Sequence, residues 1–282
     1  MSAATSPADL AGLALDVARE AAALVRERAA GTVTVADTKS SDVDVVTEAD
    51  RASEELIRRL VLAARPGDGF LGEEGDDIAS STGVRWIVDP IDGTVNFLYG
   101  LPQYAVSIAA EVDGEVVAGV VIAVATGTEY VGHLGDAGAA ATATRDGEPI
   151  AVREAVPMGQ RLVATGFSYD RDLRVLQGQA VTRLLPQVRD VRRLGSCALD
   201  VCLVADGRMD AYVEEGVNSW DYAAAGLIAR IAGARTWTGT GVGGRTLLVC
   251  APAHSFDEVL DLVHEAGFAA GFAAGFAAAE RL

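Results

Sequence analysis

Acidic residues gather at four places in this chain: DTKSSDVDVVTEAD at 37–50, GEEGDD at 72–77, DPIDGT at 89–94 and WD at 220–221. Carboxylates packed together repel one another unless a cation lies between them, so each place is either a site for a hard metal ion or a solvated acidic face. Taken alone, GEEGDD reads as a solvated face. DPIDGT does not. RWIVDP reads as a buried strand whose end places Asp89 at the edge of the core, Pro90 cannot continue a ladder, and Gly93 permits a tight turn into the start of a helix. Backbone N–H groups of Gly93 and Thr94 then point outward beside Asp89 and Asp92, as an anion site for a phosphate. Oxygen donors without neighbouring His or Cys favour Mg2+ over Zn2+ or copper, and His133, His254 and His264 all lie outside the four acidic places. The chemistry implied is metal-assisted work on a phosphate.

Elements of regular spacing must hold these residues. Apolar residues recur at helical spacing over 8–29 and again from Thr47 to Ala64, the second run behind a threonine cap with acidic residues in its first turn. From Tyr104 to Thr144 the pattern changes to apolar runs broken by DG and TG turns, which predicts an antiparallel sheet. Beyond it, a strand LVATGF, a helix near 170–186, a strand VRRL, a helix from Ser196 to Ala205, a strand MDAYVEE and a helix from Trp220 to Ala232 alternate as in a layered α/β unit. A polar stretch near 145–160 divides the chain into an N-terminal α+β lobe, 1–150, and a C-terminal α/β lobe, 151–282. GTGVGG at 239–244 precedes the strand-like TLLVCA instead of opening a helix, so it reads as a surface loop and not as a nucleotide cradle. The tail GFAAGFAAGFAAAERL reads as an alanine-rich terminal helix carrying Phe268, Phe272 and Phe276 on one face.

Composition narrows the partners. With 282 residues, half of them apolar, the chain can bury a large core, and its net charge of −17 opposes binding to nucleic acid or to an anionic membrane. Cys197, Cys202 and Cys250 form no C-x-x-C and sit in apolar surroundings, as buried reduced thiols do. The N-terminus lacks the pattern of a signal peptide and no apolar run reaches membrane-spanning length, so the expected location is the cytoplasm.

GEE at 72–74, WIVDPIDGTVNF at 86–97 and WDYAAAGLIARIAGA at 220–234 resemble, in order and separation, the signature motifs of the inositol monophosphatase family. TKSSDVDVVTEAD and RRLGSCALDVCLVADGRMDAYVEEG resemble its other blocks, so the likeness spans residues 10–265. It implies a five-layer αβαβα sandwich, often dimeric, that hydrolyses a small-molecule phosphate monoester with two or three Mg2+ ions and is inhibited by Li+. The nearest type is the bacterial inositol-1-phosphatase.

Carried over by position, the resemblance gives Glu73, Asp89 and the carbonyl of Ile91 to one Mg2+ and Asp89, Asp92 and Asp221 to a second. Glu73 and Thr94 would position the attacking water, with Asp50 supporting the Thr94 hydroxyl and Lys39 nearby. Gly93 and Thr94 amides would take phosphate oxygens. Glu214 matches the position that binds a sugar or inositol hydroxyl, and Gly195, Ser196 and Cys197 match the backbone lining the same pocket. Read without the resemblance, Asp221 has a plainer role as a helix N-cap and Glu214 as a surface carboxylate at a strand end. Asn218-Ser219 departs from the His-Cys of some relatives, and Cys197 stands where Ala is common. Other phosphatases of the same scaffold (fructose-1,6-bisphosphatase, histidinol-phosphatase, nucleotide 3'-phosphatase or NADP phosphatase) are the alternatives, and a non-catalytic interaction protein that keeps the fold is a further one.

Overall fold

The structure is a computed structural model that describes residues 6–31, 35–38, 45–136 and 139–270. Helix α1 (Pro7–Ala29) begins behind Ser6, whose hydroxyl accepts the N–H of Asp9. Strands β1 (Val35–Thr38) and β2 (Val45–Thr47) form a small antiparallel pair. Thr47 then caps α2 (Glu48–Ala64), and Asp50 closes a capping box with it.

A seven-stranded sheet follows, in spatial order β3 (Gly69–Gly72), β4 (Val84–Asp92), β5 (Ala105–Val112), β6 (Glu115–Ala123), β7 (Thr128–His133), β8 (Thr142–Arg145) and β9 (Glu148–Pro149). Only β3 and β4 pair in parallel. Short helix α3 (Thr94–Leu98) leaves the end of β4. After residues 150–161 come β10 (Leu162–Thr165), α4 (Arg171–Leu184), β11 (Asp190–Arg192), α5 (Cys197–Ala205), β12 (Ala211–Glu215), α6 (Ser219–Ile231), β13 (Ala234–Thr240), β14 (Thr246–Pro252) and α7 (Phe256–Ala266). Their five strands form a second sheet in the order β11-β10-β12-β14-β13.

Period-two alternation sends successive strand residues to opposite layers. Trp86, Val88 and Ile108 pack with Leu10, Val17 and Ile57 of α1 and α2, whereas Ile87 and Ala109 join Val201, Ala224 and Ile228 of α5 and α6. In the second sheet Tyr212 and Cys250 face that same α5–α6 layer, while Val213 and Val249 pack with Leu184, Phe256 and Val263 of α4 and α7. The result is the αβαβα sandwich. Its central layer is thin because α6 is rich in alanine: a Cβ added at Gly119 of β6 would stand 2.8 Å from the Ala224 Cα.

Some expectations are corrected. The helix near 170–186 ends at Leu184, where Pro186 allows only a 3-10 turn to follow, and the strand in VRRL is confined to Asp190–Arg192. Gly239 and Thr240 belong to β13, so only Gly241–Gly244 form the turn of the glycine-rich segment. Phe268 begins no helical stripe: Gly267, at φ +85°, ends α7 at Ala266, and Phe268 is buried with its carbonyl accepting the N–H of Val242. Phe272 and Phe276 lie outside the described residues.

Candidate active site

Asp89 and Asp92 stand at the C-terminal end of β4. The ladder with β5 pairs Asp89 with Ser107 and Asp92 with Ala105 and is broken between them, where Pro90 has no N–H to donate. Asp221 arrives from the first turn of α6, and carboxylate oxygens of Asp89, Asp92 and Asp221 lie within 4.8 Å of one another. They form part of the wall of a cavity of about 590 Å3 that Glu73, Ile91, Gly93, Thr94 and Glu214 also line. Glu73 is not within the three-carboxylate cluster itself.

The carboxylates are held by their own elements. Asp92 accepts from the Ser196 hydroxyl at 2.5 Å, the Ala198 N–H at 2.7 Å and the Cys197 N–H at 3.2 Å, so the N-terminus of α5 points at it. Ser196 and the Cys197 amide, expected along the substrate wall, are therefore occupied with Asp92; Gly195 and Cys197 line the cavity, and Ser196 is buried behind it. Asp221 is not the N-cap of α6. Asn218 takes that position, and Asp221, three residues on, accepts the Asn218 N–H at 2.5 Å.

Burial pushes Asp92 up to about 6, against the opposing hydrogen bonds from Ser196 and Ala198. Asp221 is driven well above the usual carboxylate range by burial first and then by Asp92 and Glu73. No described Arg or Lys forms a salt bridge with Asp92 or Asp221. Cys197 adds no soft donor, because burial raises its thiol far above the neutral range. An all-oxygen, anionic donor set of this kind fits Mg2+.

Thr94 opens α3. Its hydroxyl donates toward Asp50 Oδ1 at 3.0 Å and the Ile91 carbonyl at 3.1 Å, while the other oxygen of Asp50 accepts the Thr47 N–H at 2.8 Å and the Thr47 hydroxyl. Burial raises Asp50, and the Thr47 hydroxyl bond resists the rise. Gly93 takes φ +96°, and a Cβ there would meet the Gln103 carbonyl at 2.8 Å, so the turn requires glycine. Lys39 lies outside the described residues.

Glu214 is no surface carboxylate. Tyr212 donates its hydroxyl to Oε2 at 2.5 Å, and a Cβ at Gly166 would stand 1.8 Å from the same oxygen. Burial raises its pKa, and the Tyr212 bond opposes that rise. Tyr212 was missed in the sequence although it precedes Glu214 by two residues and so shares its face of β12. Asn96 and Glu54 were missed as well. Asn96 lies inside the WIVDPIDGTVNF stretch as a buried polar residue, and Glu54 follows Asp50 by one helical turn, so the signal was an acidic residue on the inward face of α2.

The profile of the inositol monophosphatase family matches residues 7–266. The chain belongs to this family. Inositol-1-monophosphatase SuhB of Mycobacterium tuberculosis is 44% identical over 270 residues, covering 90% of this chain and 93% of its own. The solved structure of Mycobacterium tuberculosis SuhB superposes with a TM-score of 0.79 at 40% identity, over 94% of this chain and 99% of that one. A family relative from Pasteurella multocida named Nus factor SuhB is 36% identical over 198 residues, covering 70% of this chain and 72% of its own.

Proposed function

We propose that the chain is a Mg2+-dependent phosphate monoester hydrolase whose substrate is inositol 1-phosphate. The observation that carries the reading is the convergence of Asp89, Asp92 and Asp221 within 4.8 Å in the wall of the cavity. Glu73, Asp89, the Ile91 carbonyl, Asp92 and Asp221 are the groups that would hold two or three Mg2+ ions. When bound, Mg2+ supplies charge neutralisation at the phosphoryl and leaving oxygens and acidifies water at neutral pH.

The chain's own residues do the positioning. The Thr94 proton is committed to Asp50 or Ile91, so toward a water molecule the hydroxyl acts as an acceptor and can orient it for in-line attack. Glu73, which lines the same cavity, would act with Thr94 in positioning that water. Amides of Gly93 and Thr94, at the start of α3, receive phosphate oxygens. Glu214, held by Tyr212 through one oxygen, has the other available for vicinal hydroxyls of a polyol. The alcohol leaves toward Gly195 and Cys197, which line the same cavity. The reading includes a cytoplasmic homodimer and inhibition by Li+. No helix among the described residues is long and apolar enough to cross a membrane.

The deciding experiment is phosphate release with and without Mg2+, and with added Li+. The panel is inositol 1-phosphate, fructose 1,6-bisphosphate, histidinol phosphate, a nucleoside 3'-phosphate and NADP. Preference for inositol 1-phosphate is expected. Release from none of them at saturating Mg2+ would favour a non-catalytic interaction protein, the second reading, toward which the relative named Nus factor SuhB points.

A further inference from the structure

Glu54 is only 3% exposed although its side chain ends in a carboxyl group. A buried carboxylate persists when its partners offset desolvation. Its Oε2 accepts the backbone N–H of Glu74 at 2.8 Å, and its Oε1 takes Arg58 Nη2 at 2.9 Å. The Arg58 guanidinium in turn lies 4.9 Å from the centre of the Phe70 ring, on the strand that leads into Glu73.

Two glycines make this contact possible. A Cβ at Gly72 would stand 2.3 Å from Glu54 Oε2, and one at Gly75 would stand 2.3 Å from Arg58 Nη2 and 2.7 Å from Glu54 Oε1. Bare backbone therefore closes over the Glu54–Arg58 pair on both sides of Glu73 and Glu74. A loop gripped at both ends leaves its central side chain few orientations.

We infer that Glu54 is the positioning residue of Glu73: with Arg58 it fixes the 72–75 bend, and through that bend it aims the Glu73 carboxylate at the Mg2+ site. The inference rests on the reading of Glu73 as a metal ligand. Asp50 and Glu54, one turn apart on α2, then serve the two flanks of the site, Asp50 through Thr94 and Glu54 through the Glu74 amide.

The test is calorimetric Mg2+ binding to the full chain, with amide exchange at Glu74 followed in the absence of metal. Glu54→Ala should weaken Mg2+ binding about tenfold, the scale for losing a group that orients a ligand. Gly75→Ala, which pushes a methyl into Arg58, should do the same. Glu54→Gln retains an acceptor oxygen and should stay within about threefold of wild type. Exchange at Glu74 should accelerate in Glu54→Ala, and because Glu73 also serves the attacking water, kcat at saturating Mg2+ should fall in Glu54→Ala and Gly75→Ala, by a smaller factor than Mg2+ affinity does. A merely structural role would lower melting temperature without separating metal affinity from kcat. Folded Glu54→Ala with wild-type Mg2+ affinity overturns the inference; if that variant does not fold, wild-type affinity in Gly75→Ala overturns it. Glu73→Gln is the control on the premise: unchanged affinity there removes Glu73 as a ligand and the inference with it, whatever the exchange at Glu74.

Discussion

The side-chain amide of Asn96 donates to the carbonyl of Leu194 at 2.8 Å, across 98 residues of sequence. The same nitrogen donates to Gln103 O at 2.7 Å, so α3, which starts with Thr94, is tied to the segment that leads into α5. Asn96→Ala should lower stability by about 2 kcal/mol, because it leaves buried carbonyls without a donor. Urea denaturation measures this. Because the bond joins Thr94 to the residues that hold Asp92, kcat should fall too, even at temperatures where the variant is fully folded.

Thr94→Ala removes the acceptor toward water while every carboxylate remains. The expected outcome is a fall in kcat of about a hundredfold, with the Mg2+ concentration for half-maximal activity little changed. Mg2+ titration of the variant checks it. Normal kcat at saturation with weaker Mg2+ binding would instead make Thr94 part of the metal site.

Asp89→Asn should cut kcat by about a thousandfold, roughly 4 kcal/mol of transition-state stabilisation. Thermal melts should separate metal from fold: chelated Asp89→Asn should melt at or above the chelated wild type, since repulsion with Asp92 and Asp221 is reduced. Added Mg2+ should raise the wild-type melting temperature and leave the variant's unchanged.

Chelated protein should also lose stability on going from pH 5 to pH 7. Burial holds Asp92 at about 6 in the fold, whereas an unfolded aspartate titrates near ~3.9. Between those values the folded state binds more protons, so stability falls as pH rises, by on the order of 1 kcal/mol from Asp92 alone between pH 5 and pH 7, about half of the ~3 kcal/mol lost over the full titration. Asp221, also raised, acts in the same direction. Urea melts at both pH values should show a smaller loss in Asp92→Asn than in wild type; equal losses would place the effect elsewhere.

Glu214→Gln should reduce kcat/KM for inositol 1-phosphate about tenfold and leave an aryl phosphate nearly untouched, on the scale of one charge-assisted hydrogen bond. Tyr212→Phe should give a smaller loss with the same selectivity and move the acid limb of the kcat/KM profile upward, because the bond that opposes the rise in Glu214 is gone. Equal loss on both substrates would mean that Glu214 supports the site and does not read the substrate.

Much of this arrangement was legible along the chain. Helical spacing located α1 and α2, turn residues located the hairpins of the first sheet, and Pro90 with Gly93 marked the place where β4 stops. Asp89 and Asp92 stood out because neighbouring carboxylates need a reason, whereas Asp221 came from the family resemblance. What escaped was pairing across distance. Helical spacing puts Glu54 on the inward face of α2, but nothing local says that it meets the Glu74 amide, that the Ser196 hydroxyl turns to Asp92, or that the turn at Gly244 reaches the cavity wall. Such facts depend on which layers face each other. Periodicity reports which side of an element is buried but not what it is buried against.

The alanines of α6 act as a gauge block between the two sheets. Asp89 stands on the first sheet and Glu214 on the second, and the separation of the sheets is set where Ala224 meets Gly119 almost backbone to backbone. The reach from the phosphate to the hydroxyls of its ester is therefore ruled by residues that touch neither. A lineage of this scaffold could retune the length of its substrates by thickening that middle layer by a methyl group or two, with every carboxylate left in place.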